Sequence, residues 1–234
     1  MREQPTIHPR FAERAVEPRY GFAEAASLTR RPAQTLRRWA LGNRRRYLDH
    51  HRTDDPLIAI DGSLADGLPL SFLNLLELRF LSSYRSSVPL PAIRRALDYA
   101  GEQLGVERPL LRSDFAARGR ELFLSFAEGS DKAYLNASRQ GQVAWPEDAT
   151  AFLESLDYDG DERAAFRWWP LGKDAPVMLD TRLNAGHPST ATTGVRTGII
   201  AARVSRGWSA EAIAEDVTTT VEEIRAAVAL ESAA

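Results

Sequence analysis

The stretch YGFAEAASLTRRPAQTLRRW at residues 20–39 constrains this chain more than any other. Phe22, Ala25, Ala26 and Leu28 fall at helical spacing and make one amphipathic turn pair. Pro32 ends that helix, because the residue before a proline disfavours the helical region. Pro32 can itself open the next helix, where its missing N–H costs nothing. The second helix has an inner face of Leu36, Trp39 and Ala40, and an outer face of Gln34, Thr35, Arg37 and Arg38. Two short helices with a tight turn and a basic, amide-bearing outer face are the layout of a helix-turn-helix, whose second helix reads a DNA groove.

Charge supports a polyanion at this end of the chain. The 234 residues carry a formal charge of −2. Residues 1–52, however, hold 12 Arg and 5 acidic residues, net +7, and residues 53–234 are net −9. A basic head on an acidic body is an electrostatic footprint confined to one end. There is no cysteine, which excludes disulfides, thiolate metal sites and a cysteine nucleophile, and fits a reducing cytoplasm. No apolar run approaches the length of a membrane span, and the polar N-terminus is unlike a signal peptide.

Along the chain, 1–18, with Pro5, Pro9 and Pro18, is expected to be a disordered leader. After the second helix comes GNRRRY at 42–47, whose Arg44, Arg45 and Arg46 suit phosphate contact. PLIAIDG at 56–62 is a strand candidate, so a wing is expected over 42–69. Residues 70–84 are apolar at helical spacing around more than one face, with Ser71 as a candidate cap. Such a helix is expected between neighbours or in a dimer seam. A further helix is expected over 92–100. Strands are expected at 121–126, 134–137 and 142–145, the last two joined by the hairpin-type SRQG at 138–141, then a helix at 147–155 and strands at 165–170 and 177–179. Three helices follow, at 197–204, 210–216 and 221–230, with Ser209 as the cap of the second and Thr220 with Glu223 as a capping box for the third.

Two stretches resemble the VapB-like antitoxins. Residues 20–39, with LSFLNLLEL at 70–78 and IRRAL at 93–97, resemble the MerR-type helix-turn-helix variant of that family. The elements VMLD at 177–180, GHP at 186–188, TGVRT at 193–197, IAED at 213–216 and VEEI at 221–224 resemble its small trihelical domain. Arg30 and Arg31 stand where the family usually has Gly and Val, which loses a residue suited to positive φ and puts an arginine where an apolar residue would pack. Thr192 likewise stands where Gly is common. The resemblance implies a cytoplasmic antitoxin that neutralises a PIN-type ribonuclease toxin and represses its own operon as a DNA-bound homodimer.

Other chemistry finds little support. His50 and His51 are adjacent and so would not share a helix face, and no third ligand has metal-binding spacing. DYDGDE at 157–162 opens like a calcium loop, but its twelfth position is Trp168 instead of glutamate, so it reads as a solvated turn. Gly194 and Gly198 form no phosphate loop. Of Phe166, Trp168 and Trp169, strand alternation places one tryptophan in the core and one outside.

The expected fold is therefore mainly α with small β elements. It comprises an N-terminal winged helix-turn-helix at 19–105, a small α+β middle unit at 106–176 and a C-terminal trihelical domain at 177–234. Arg30, Arg31, Gln34, Thr35, Arg37, Arg38, Arg44, Arg45 and Arg46 are the expected DNA contacts. Because the last domain is acidic and acids repel phosphate, it is expected to bind protein, through Trp208, Glu211, Glu215 and Asp216. No cofactor, metal, membrane or enzymatic chemistry is expected. The alternative is a free-standing MerR-like regulator whose middle domain senses a small molecule.

Overall fold

The structure, a computed structural model, describes residues 10–46, 51–54, 56–84, 97–99, 102, 108, 147–159 and 164–232. The helix pair forms as its apolar spacing requires: α2 spans Phe22–Thr29 and α3 spans Ala33–Leu41. Arg30 itself takes the left-handed turn position, at φ 55°, ψ 40°. Its N–H and that of Arg31 then close back on the carbonyls of Ser27 and Ala26, which satisfies the end of α2. Pro32 sits one position outside α3, as its N-cap, and its carbonyl accepts from the Thr35 and Leu36 amides. Ahead of this pair, Arg10–Val16 forms a helix, α1. Ala15 of this helix is buried in the core.

Directly after α3, β1 (Asn43–Arg46) and β2 (His51–Asp54) pair as an antiparallel hairpin, Asn43 opposite Asp54 and Arg46 opposite His51. The strand expected at 56–62 is not one. That segment is a tied-down loop whose backbone groups find other partners. Leu57 N–H donates to the Trp39 carbonyl, the Asn74 side chain bonds Ala59 O and Asp61 N, and Gly62 N–H reaches Pro69 O, while Ile58 is buried.

Helix α4 (Phe72–Tyr84) is the central post. Ser71 caps it, its Oγ accepting from Asn74 N–H at 3.1 Å while Asn74 Oδ1 accepts from Ser71 N–H. The apolar girth of α4 is buried within the chain: Phe72, Leu75, Leu76, Leu78 and Phe80 are fully enclosed. It packs against α1, α2 and α5 (Glu147–Glu154), so no dimer seam is needed to explain it. The helix expected at 92–100 lies outside the described residues except for 97–99, which are helical. The strands and hairpin expected between 121 and 145 also lie outside them.

A four-stranded antiparallel sheet follows, in order β3 (Leu156–Tyr158), β4 (Ala165–Trp168), β5 (Val177–Asp180), β6 (Ser189–Thr190). Asp157, expected in a solvated turn, lies in β3. Lys173, the Trp169 indole N–H and Arg167 satisfy its carboxylate; they outweigh the burial that opposes its charge and hold its pKa below the usual range. Trp168 is buried and Trp169 is half-exposed, as strand alternation requires.

Helices α6 (Thr197–Ser205), α7 (Ala210–Asp216) and α8 (Val221–Ser232) match the expected trio within a residue or two at each end. Ser209 caps α7 through Ala212 N–H. The capping box at α8 is only half made. Thr220 Oγ1 accepts from Glu223 N–H, but the buried Glu223 carboxylate bonds Thr192 N–H at 2.7 Å and the Thr219 hydroxyl instead. Ile200, Ile213, Ile224, Ala227 and Leu230 form a second core with Val177. The first core takes in residues from Ala15 through α4 to Phe152, Trp168 and Leu179. β5 contributes to both cores, Leu179 to the first and Val177 to the second.

Candidate nucleic-acid interface

Helix α3 presents the face its sequence encodes. Leu36, Trp39 and Ala40 seal it onto the core, and Gln34, Arg37 and Arg38 are exposed, with Thr35 half-exposed. α2 packs directly against it, and α4 in turn holds α2. The Arg37 guanidinium lies 4.7 Å from the Phe22 ring centroid, which stiffens a long side chain at the outer face. Arg30 is exposed at the turn. Arg31 is used differently: its guanidinium donates to the Ser82 carbonyl at 2.7 Å and so caps the end of α4. Arg44, Arg45 and Arg46 are three of the four residues of β1, opposite Thr53, Arg52 and His51. An exposed recognition-type helix followed at once by a two-stranded hairpin is the winged helix-turn-helix arrangement.

α4 carries a buried polar cluster. Glu77 is buried beside Asn74, whose amide donates to it at 3.1 Å, with Arg108 3.9 Å away and bonded to Asp61 at 2.6 Å. Burial raises the Glu77 pKa to about 7, against the pull of Arg108.

The unit is also fastened to the far end of the chain, which no local pattern announces. The buried Tyr20 hydroxyl donates to Gly186 O at 2.6 Å, the Tyr20 and His187 rings are 5.3 Å apart, and His187 Nδ1 lies 2.6 Å from Glu24 Oε1. Tyr20 and the GHP at 186–188 each belong to a recognisable motif, but their pairing spans 166 residues.

The residues expected to bind protein lie apart from α3. Trp208 is 48% exposed, with the Arg203 guanidinium 5.5 Å above its ring. Asp216 is paired with Arg203, and Glu211 with Arg225 at 3.8 Å, so two of the three acids are partly neutralised; Glu215 is exposed. Among the described residues no group of His, Asp or Glu is placed to hold a metal, and no helix is long and apolar enough to cross a membrane.

Residues 18–97 match the family described as "Putative DNA-binding HTH domain". The chain is 28% identical over 222 residues to the "Putative antitoxin VapB45" of Mycobacterium tuberculosis (strain ATCC 25618 / H37Rv), covering 90% of this chain and 92% of that protein. The crystal structure of Rv2018 from Mycobacterium tuberculosis superposes with a TM-score of 0.72 at 26% identity, over 91% of this chain and 98% of that one. The likeness thus runs beyond the helix-turn-helix through the sheet and the C-terminal helices.

Proposed function

We propose that this chain is a DNA-binding antitoxin that represses its own operon and neutralises a PIN-type ribonuclease toxin. The observation that carries the DNA half is the outward face of α3: Gln34, Arg37 and Arg38 stand free of the core on a helix fixed by Trp39 and Leu36, and β1 adds Arg44, Arg45 and Arg46 beside it. Arginine and glutamine bond base edges in the major groove, and the hairpin arginines suit phosphate. Support for the toxin half is the likeness, along nine-tenths of the chain, to a protein named as an antitoxin. Neutralisation then falls to the C-terminal helices, with Trp208, Glu211, Glu215 and Asp216 as contacts, because a ribonuclease mouth that attracts RNA is positive. An inverted-repeat operator calls for a homodimer, formed through a surface other than the buried α4. The test is co-expression with the product of the adjacent reading frame: rescue of growth and a stable complex support the reading, and neither occurring refutes it.

One feature favours a free-standing, ligand-sensing regulator. A cavity of about 830 Å³ beside the end of α3 is lined by Leu57, Ile58, Asp61, Glu77 and Arg108. Release of promoter DNA by a small cationic ligand, with no complex formed with the neighbouring protein, would select that alternative.

A further inference from the structure

A cleft of about 520 Å³ separates α2 of the DNA-reading unit from α6 of the C-terminal unit. Its apolar lining comes from Leu28 of α2, and from Ile199, Ala202 and Leu230 of α6 and α8. Ile199 is 50% exposed there. The charges around this apolar lining are unevenly committed. Glu24 is engaged by His187, Glu231 by the Thr197 hydroxyl and Arg203 by Asp216. Arg196 and Arg206 also line the cleft and are exposed, and their guanidinium groups have no hydrogen bond or ion pair among the described residues. The carboxylates of the cleft are therefore used internally and two guanidinium groups are left for something else.

Gly198 adds a steric argument. It sits in the first turn of α6. Its backbone demands no glycine: no positive φ is found there, and an added Cβ would meet only Glu231 Oε1, at 3.9 Å. No packing within the described residues explains the missing side chain, and its effect is to keep the cleft mouth open.

We propose that this cleft seats a segment of the partner protein that carries acidic side chains flanked by apolar ones. The apolar residues would cover Ile199, Leu28 and Leu230, and the carboxylates would meet Arg196 and Arg206. This rests on the antitoxin reading and deepens it. Because Ser27 and Leu28 belong to the helix that supports α3, the seated partner lies against the DNA-reading unit itself, and its affinity and that for DNA are linked reciprocally.

The test uses the full chain and the product of the adjacent reading frame as the probe. Two variants are compared with wild type: Gly198→Leu, which fills the cleft mouth at a helix-compatible position, and the double reversal Arg196→Glu with Arg206→Glu. Promoter binding without the partner reports that each is folded. The expected result is at least about tenfold weaker complex formation for both, with promoter binding unchanged. Unchanged complex affinity in both variants would overturn the cleft. So would weakening by only one of the two, since seating needs both the open mouth and the two guanidinium groups. Wild type forming no complex at all would instead overturn the antitoxin reading beneath it.

Discussion

Substituting Gly186 tests how the DNA-reading unit is fastened to the rest of the chain. Gly186 has φ +81°, and a Cβ there would stand 2.5 Å from the Tyr20 hydroxyl, which is fully buried and donates to Gly186 O. Gly186→Ala therefore incurs two costs. A non-glycine residue in the left-handed region costs about 1–2 kcal/mol. Displacing the Tyr20 hydroxyl from the Gly186 carbonyl strands a buried polar group, a further 1–3 kcal/mol or so. The sum is about 2–5 kcal/mol. In a Tyr20→Phe background the steric conflict disappears, because the ring carbon that bore the hydroxyl is 3.7 Å from that Cβ, an ordinary contact. Gly186→Ala then costs only the backbone part, about 1–2 kcal/mol. Urea unfolding of the four chains gives the double-mutant cycle, and the expected coupling is about 1–3 kcal/mol. Equal costs of Gly186→Ala in the two backgrounds would refute the docking of this loop on Tyr20.

Glu77→Gln tests the buried polar cluster on α4. The folded-state pKa of Glu77, about 7, lies above its unfolded value of 4.5, so the native state holds the extra proton and this group's contribution to stability is present at low pH and lost as pH rises from about 4.5 through 7. The slope is up to about 1.4 kcal/mol per pH unit within that window, and the glutamine variant is expected to be flatter across it and more stable at pH 8, by thermal melting. Arg30→Gly removes a left-handed arginine and is expected to raise stability by about 0.5–1 kcal/mol in urea titration; a reduced stability would show that the Arg30 side chain itself stabilises the turn. A chain ending at residue 196 keeps the sheet whole and removes α6, α7 and α8. It is expected to fold, retain promoter binding and fail to rescue growth from the toxin, and rescue would show that these helices are not the neutralising element.

The helices are legible where spacing, caps and breakers agree. α2, α3 and α7 each combine an apolar face with a proline or a capping serine, and the bounds of α7 follow from its Ser209 cap. The elements that escape sequence reasoning are decided by partners distant along the chain. Residues 56–62 look like a strand, yet Trp39, Asn74 and Pro69 take their backbone groups. Asp157 looks like a solvated turn until Lys173 and Trp169 satisfy it within β3. The apolar surplus of α4 fits either burial between neighbours or a dimer seam, because nothing in its own sequence says that α1 and α5 cover it. At the site, the outer face of α3 can be read directly, since a 3.6-residue period fixes which residues oppose Leu36 and Trp39. The diversion of Arg31 to Ser82 and the fastening of Glu24 to His187 cannot, because local sequence carries no trace of a partner 51 or 163 residues away.

The central claim is that α3 and the following hairpin read DNA. Its most direct test is fluorescence anisotropy of the upstream promoter fragment across a salt series, with wild type, Arg37→Ala, and the double variant Arg44→Ala with Arg45→Ala. The expected outcome is salt-dependent binding by wild type. Arg37→Ala should narrow the preference for promoter over unrelated sequence by about 1–3 kcal/mol for each base edge it no longer reads. The hairpin double variant should weaken binding to all sequences alike and lower the salt slope by about one for each phosphate no longer neutralised. No binding of the promoter by wild type at low salt, or binding untouched by both sets of changes, would contradict it.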